Sequence, residues 1–265
     1  MRSVRMAMTA GLVATMFAAS ATANTIVYQH SFGGFGSPLN GVATDVGGQN
    51  WIAGPAYLDD GTVATVVAGS ANGNAAWLPF TPQNGIVYTL EATISNNFAD
   101  WIGVGFFPLA PSGTPNWSDT NFSVRHSNAP GWAWAFTRNH PTADDQSGFN
   151  GGGTASSAFT GNLVSPANPI AFKIILDTIN PQWTAQYFLN NVQQGITQII
   201  AAGAHDGAGT DDIRGVGFSR DRNATAGTGG SVGGFRLSAV PEPTSWLLVM
   251  VGTLGVASLR KRTAR

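Results

Sequence analysis

Hydrophobic and polar positions alternate with a period of two through the middle of this chain. The clearest run is Ile86–Ile94, where Ile86, Tyr88, Leu90, Ala92 and Ile94 interleave with Val87, Thr89, Glu91 and Thr93. Successive side chains of a strand point to opposite faces, so this spacing predicts a half-buried β-strand. Further strands are predicted at Thr25–Ser31, Thr62–Ala68, Leu78–Phe80, Trp101–Phe107, Asn121–His126, Gly131–Arg138, Ile170–Thr178, Gln182–Leu189, Ile213–Ser219 and Val232–Ser238. Glycine, asparagine and proline punctuate the intervals, and no stretch of about 12 residues carries a helical apolar stripe. The glycine-rich stretches Ser147–Ser157 and Ala224–Ser231 lead into no phosphate-binding helix and are expected to be connections. Short strands without helices to cover a parallel sheet imply an all-β fold, a two-sheet antiparallel β-sandwich over residues 24–240.

Two local patterns sharpen that expectation. Gly103-Val104-Gly105-Phe106 is echoed by Gly215-Val216-Gly217-Phe218, which suggests two similar core strands whose glycines admit a close neighbour. The run Ile170–Thr178, the strand Gln182–Leu189 with its Asn190-Asn191 turn, and the closing Gly233-Gly234-Phe235-Arg236-Leu237-Ser238 form the second pattern. Together they resemble concanavalin A-like or laminin G-like jelly rolls. The resemblance implies a jelly-roll sandwich in which the first and last strands pair.

The two ends of the chain read differently. Arg2 and Arg5 precede an apolar, alanine-rich run from Met6 to Ala19, and Ala21-Thr22-Ala23 offers small residues for cleavage. Residues 1–23 are therefore expected to be a secretory signal helix, outside the folded domain. At the other end, Pro241-Glu242-Pro243 precedes an uncharged stretch from Trp246 to Leu259, then Arg260, Lys261, Arg262 and Arg265. As a helix that stretch spans about 21 Å, short of the ~30 Å bilayer core, but basic side chains that reach the headgroup layer extend it. A transmembrane helix with its C-terminus cytoplasmic is predicted, with Trp246 at one interface and the basic residues as the stop. A helix apolar all round could otherwise only be a fully buried core helix. Motif, helix and basic tail in this order resemble the PEP-CTERM sorting signal of Gram-negative bacterial surface proteins, over residues 241–265. The resemblance implies an exosortase-type processing protease as partner, and an inner-membrane-anchored precursor that is processed to the cell surface or extracellular matrix.

Composition excludes several functions. The segment 24–240 keeps seven basic and thirteen acidic residues, a net charge of −6, with Lys173 its one lysine. Such a surface does not suit a phosphate backbone, so no nucleic-acid partner is expected. The chain has no cysteine, which removes disulfides, thiolate metal sites and cysteine nucleophiles.

Candidate chemistry is sparse. Glycoside hydrolysis needs two carboxylates across the scissile bond. Glu91 is the one glutamate of the segment, and Thr89 and Thr93 flank it on its face. His30, His126, His140 and His205 are scattered, and their placement along the chain gives no support to a Ser-His-Asp triad. Among the paired aspartates, His205–Asp212 offers Asp206, Asp211 and Asp212 as oxygen ligands for calcium, although solvated turn aspartates read the same way. Trp132, Trp134 and Phe136 are expected on one strand face, as sandwich core or as a stacking platform for sugars. Trp117 lies in a loop with few apolar neighbours, and Arg138 and His140 complete the ligand-binding candidates.

These readings converge on an exported, non-catalytic β-sandwich with no cofactor beyond candidate calcium. Through the sorting-signal resemblance its implied partner is extracellular polysaccharide. The alternative is a polysaccharide-cleaving enzyme, a lyase or hydrolase, on the same fold. A cleft crossed by Arg138, His140 and a tyrosine would mark the enzyme, and a flat aromatic row the binder.

Overall fold

The computed structural model describes residues 23–54, 57–61, 63–66, 75–96, 101–108, 132–138, 146–149, 157–161, 169–200, 213–220 and 230–241. Sixteen strands and no helix lie among them: β1 (Thr25–His30), β2 (Phe35–Pro38), β3 (Ile52–Ala53), β4 (Tyr57–Asp60), β5 (Val63–Val66), β6 (Ala75–Pro79), β7 (Ile86–Ser95), β8 (Trp101–Pro108), β9 (Trp132–Arg138), β10 (Gln146–Phe149), β11 (Ser157–Gly161), β12 (Ile170–Asp177), β13 (Thr184–Leu189), β14 (Val192–Ile199), β15 (Ile213–Arg220) and β16 (Ser231–Pro241). They form two antiparallel sheets. One has nine strands in the order β14-β13-β12-β7-β16-β5-β4-β2, with β1 also on β16, and the other has seven in the order β11-β10-β9-β8-β15-β6-β3. The two-sheet sandwich expected from the alternation is the fold observed. All of these strands lie in one compact unit, Asn24–Glu242.

Strand β16 is the spine. One side pairs with β7 from Ser231 to Pro241, and the other is shared between β5 at Ser231–Gly233 and β1 at Phe235–Ala239. First and last strands thus pair, as the jelly-roll resemblance implies. The core follows from period two. Tyr88, Leu90, Ala92 and Ile94 of β7 and Phe172, Ile174 and Leu176 of β12 meet Val104 and Phe106 of β8 and Val216 and Phe218 of β15. Each of the large aliphatic and phenylalanine side chains among them contributes about 1.5–3 kcal/mol on burial. The Asn190-Asn191 hairpin has φ of 49° and 65°, the left-handed pair that a tight type I′ turn demands.

The two glycine-rich echoes prove to be neighbours. β8 and β15 pair with Gly105 opposite Gly217. A Cβ at Gly217 would stand 2.7 Å from Trp77 Cα, and one at Gly105 would stand 2.9 Å from the Ala133 carbonyl oxygen, so glycine is needed at both.

The structure corrects two sequence expectations and leaves a third outside the described residues. Gln146–Phe149 and Ser157–Gly161 are strands β10 and β11, laid against β9, although the segment between Ser147 and Ser157 reads as a glycine-rich connection. Glycine hides the alternation there, and backbone pairing makes the strand. The aromatic stripe of β9 is interrupted, because Ala133 has φ of 46° and the register slips between Gly105 and Phe106. Trp134 and Phe136 keep one regular alternation, and Trp132 precedes the slip. The expected strand at Asn121–His126 lies outside the described residues.

Candidate functional site

Among the described residues, an open groove of about 570 Å³ lies where β1, β7, β15 and β16 meet the β6–β7 connection. Val27 and Tyr28 come from β1, Ile86 and Tyr88 from β7, Arg214 from β15 and Ala239 from β16. The connection supplies Phe80, Thr81 and Gln83. This size and mostly apolar lining suit a small ligand or one segment of a polymer.

The connection is held rigidly. Thr178 Oγ1 lies 2.6 Å from the Gln83 carbonyl oxygen and 2.7 Å from that of Ile86, and it accepts from Ile86 N at 3.1 Å. Gly85 N donates to the Thr178 carbonyl at 2.9 Å, and the φ of 80° at Gly85 explains the glycine. Trp183 Nε1 donates to Asn84 Oδ1 at 3.1 Å. Phe80 N then donates to the Arg214 carbonyl at 2.9 Å, joining the connection to the seven-stranded sheet.

Both tyrosine hydroxyls are engaged. Tyr28 donates to the Pro79 carbonyl at 2.7 Å, and Tyr88 Oη accepts from Gln83 N at 2.9 Å. The Phe80 ring meets Tyr88 edge-on at 5.0 Å. Burial raises the pKa of Tyr28, and it raises that of Tyr88 against the opposing Gln83 hydrogen bond. Both phenols are therefore neutral at physiological pH. Among the described residues the lining contains no carboxylate and no imidazole, and it offers fixed rings, the Gln83 and Thr81 side chains and the Arg214 guanidinium. Glu91 stands elsewhere, on β7 opposite Lys173 of β12 and Arg236 of β16.

The groove borders the C-terminal strand. Pro241 is the last residue of β16, exposed and opposite Ile86, which lines the groove. Strand structure thus runs one residue into the Pro241-Glu242-Pro243 motif. Glu242, Pro243, Trp246, Leu259, Arg260, Lys261, Arg262 and Arg265 lie outside the described residues, as do residues 1–22. Among the described residues no helix is long and apolar enough to cross a membrane.

Of the remaining candidates, Trp134 is fully buried and stacks on Phe136 at 5.6 Å, so it presents no face to a sugar. Trp132 and Arg138 occupy the two ends of β9. Trp117, His140, Asp206, Asp211 and Asp212 lie outside the described residues. No cluster of three or more acidic, histidine or cysteine side chains able to hold a metal occurs among the described residues. The groove was not legible in the sequence. Tyr28, Gln83 and Arg214 are far apart along the chain, and no motif links them.

Comparison with known proteins adds one assignment. Residues 239–262 match the PEP-CTERM protein-sorting motif. No curated protein sequence matches the chain. Among solved structures, a Bacillus subtilis protein of unknown function with a galectin-like fold shares 13% identity at a TM-score of 0.49, covering 82% of this chain and 98% of its own. The endo-1,3-beta-glucanase of Streptomyces sioyaensis shares 11% at 0.44, covering 82% and 97%. The exoplasmic/lumenal domain of VIP36, in a form with calcium and Man2 bound, shares 8% at 0.45, covering 81% and 89%.

Proposed function

We propose that the chain is an exported cell-surface or extracellular-matrix protein whose sandwich binds glycan and performs no catalysis. The observation that carries the reading is the PEP-CTERM match at residues 239–262, which begins inside β16. The sorting signal thereby follows directly on a folded β-sandwich. In this reading an exosortase-type protease processes the precursor at the motif, and the groove takes a segment of extracellular polysaccharide. Sugars present apolar C–H faces and hydroxyl rims, which suit the half-buried Tyr28 ring beside Gln83, Thr81 and Arg214, with the buried Phe80 and Tyr88 as the floor. The non-catalytic reading is supported by Glu91, whose strand neighbours Thr89 and Thr93 supply no partner carboxylate.

One experiment in an exosortase-carrying host tests both parts. Replacing Pro241, Glu242 and Pro243 together with alanine should leave a membrane-bound precursor, since alanine lets a helix propagate where proline stops it. Mass spectrometry of the released fraction reads this out, and release of the mutant with the wild-type C-terminus would refute the sorting role. The released wild-type protein, screened on a glycan array with and without calcium, should bind without cleaving, and Glu91→Gln should change neither property. Glycan turnover lost in folded Glu91→Gln would establish the enzyme instead.

A further inference from the structure

The sorting signal and the folded sandwich share residues. The PEP-CTERM match begins at Ala239 and β16 runs to Pro241, so Ala239, Val240 and Pro241 belong to both. Ala239 is held on two sides, opposite Tyr88 of β7 and Thr25 of β1. Val240 and Pro241 stand opposite Val87 and Ile86 of β7. Burial falls off along the same path. Phe235 and Leu237 are fully buried, Ala239 is 8% exposed, Val240 is half-buried and Pro241 is exposed. A protease cleft that encloses an extended segment takes it as an added strand, through the same backbone groups that a sheet uses. At the end of β16 those groups already face β7.

The geometry points to the end of β16 as a clasp that withholds the sorting signal from its protease. The folded precursor is processed only when Ala239, Val240 and Pro241 lift from β7 and β1. This rests on the proposed processing of the chain at its motif by an exosortase-type protease. Opening is cheap over these residues. Alanine gives up one methyl group, Val240 already meets water, and Pro241 has no N–H to lose from the ladder. Strand ends are also where a fold opens most readily. Leu237 sets the inner limit, because lifting it would bring a fully buried leucine out of the core. The sheet thus competes with the protease for the first residues of the signal, and it yields them without losing its core.

The full chain in an exosortase-carrying host is the system to test. The chain has no cysteine, and Val87 and Val240 stand directly opposite each other on paired strands. Opposite Cβ atoms lie about 4.5–5.5 Å apart, which a disulfide spans after a small adjustment. Val87→Cys combined with Val240→Cys should therefore crosslink under oxidising conditions and fix the strand end to β7. Pulse-chase labelling should show the crosslinked precursor released more than about tenfold more slowly than the same variant kept reduced. A second variant inserts a flexible Gly-Ser spacer of about six residues, then a repeated Ala-Val-Pro, between Pro241 and Glu242. The sheet keeps its own strand, the signal stands clear of it, and release should be severalfold faster than that of the wild type. A crosslinked precursor released as fast as the reduced one overturns the proposal, and so does a spacer variant released no faster than the wild type. If the double cysteine variant fails to fold or to crosslink, the spacer variant decides the question. A wild type that is never released would overturn the sorting role itself.

Discussion

The two ends of β1 contrast a sealed site with an open one. Val27 and Tyr28 line the groove, while His30, two residues on, is buried in an aromatic cluster. His30 meets Phe32 edge-on at 4.6 Å, and Trp51 lies 5.0 Å from Phe235 and 5.2 Å from Phe218, which in turn meets Tyr57 at 5.2 Å. Carboxylates tie down the turn that closes this end. Ser31 N donates to Asp45 at 2.7 Å, Gly34 N donates to Asp59 at 2.8 Å, and His30 Nε2 stands 3.4 Å from Asp59. A Cβ on Gly34 would lie 2.7 Å from Asp59 Cγ, so glycine is required there. Phe32 accepts a left-handed φ of 57° to place its ring in the cluster. One short strand thus serves opposite purposes. Its sealed end is packed from several elements and contributes stability, and its open end meets a polar connection and Arg214 and remains accessible.

The largest effect should come from the sealed end. Trp51→Ala removes a fully buried ring and should cost about 3–5 kcal/mol in denaturant unfolding. A loss below about 1 kcal/mol would erase the contrast, because it would show this end to be as loosely packed as the groove.

Asp59→Ala should follow at about 1–3 kcal/mol, since it strips the buried His30 and Gly34 N of their shared carboxylate. A neutral result would mean that the aromatic rings and the Ser31–Asp45 hydrogen bond hold the turn closed without Asp59.

The smallest difference separates two tyrosines. Burial raises the Tyr57 pKa well above its ordinary value, against the opposing influence of Arg220. The folded state therefore resists ionisation that the unfolded chain undergoes at about pH 10, and Tyr57 destabilises the fold as pH rises past that value. Tyr57→Phe should move alkaline unfolding to higher pH without abolishing it, because buried Tyr187 is raised likewise. Tyr28→Phe loses one hydrogen bond to Pro79, at about 1 kcal/mol or less, and should move the alkaline limb little. Equal shifts for the two would show that the groove is as dry as the cluster.

The acid limb has the opposite sign. The Ser31 side-chain hydrogen bond, helped by the Ser31 backbone and by His30 and opposed by burial, holds the Asp45 carboxyl below its ordinary range. Its contribution is present above the ordinary aspartate pKa and fades as pH falls through the lowered value.

Much of the fold was legible in the sequence because burial on one face of a strand leaves a period-two trace. Ile86–Ile94, Ile170–Thr178 and Gln182–Leu189 carry it, and β7, β12 and β13 lie there. The PEP-CTERM signal was equally legible, since its three parts are contiguous and need no folding to be read. What the sequence alone could not determine lies where no face is buried or where partners are distant. β14 is exposed along nearly its whole length, so no alternation marks it, and its place in the sheet comes from pairing with β13. The groove depends on Tyr28, Gln83, Arg214 and Ala239, which only the pairing of β1, β7 and β15 with their neighbours brings together. Whether Trp134 faced solvent or core was likewise beyond sequence, because alternation fixes which residues share a face but not which layer covers that face. Tertiary packing covers it.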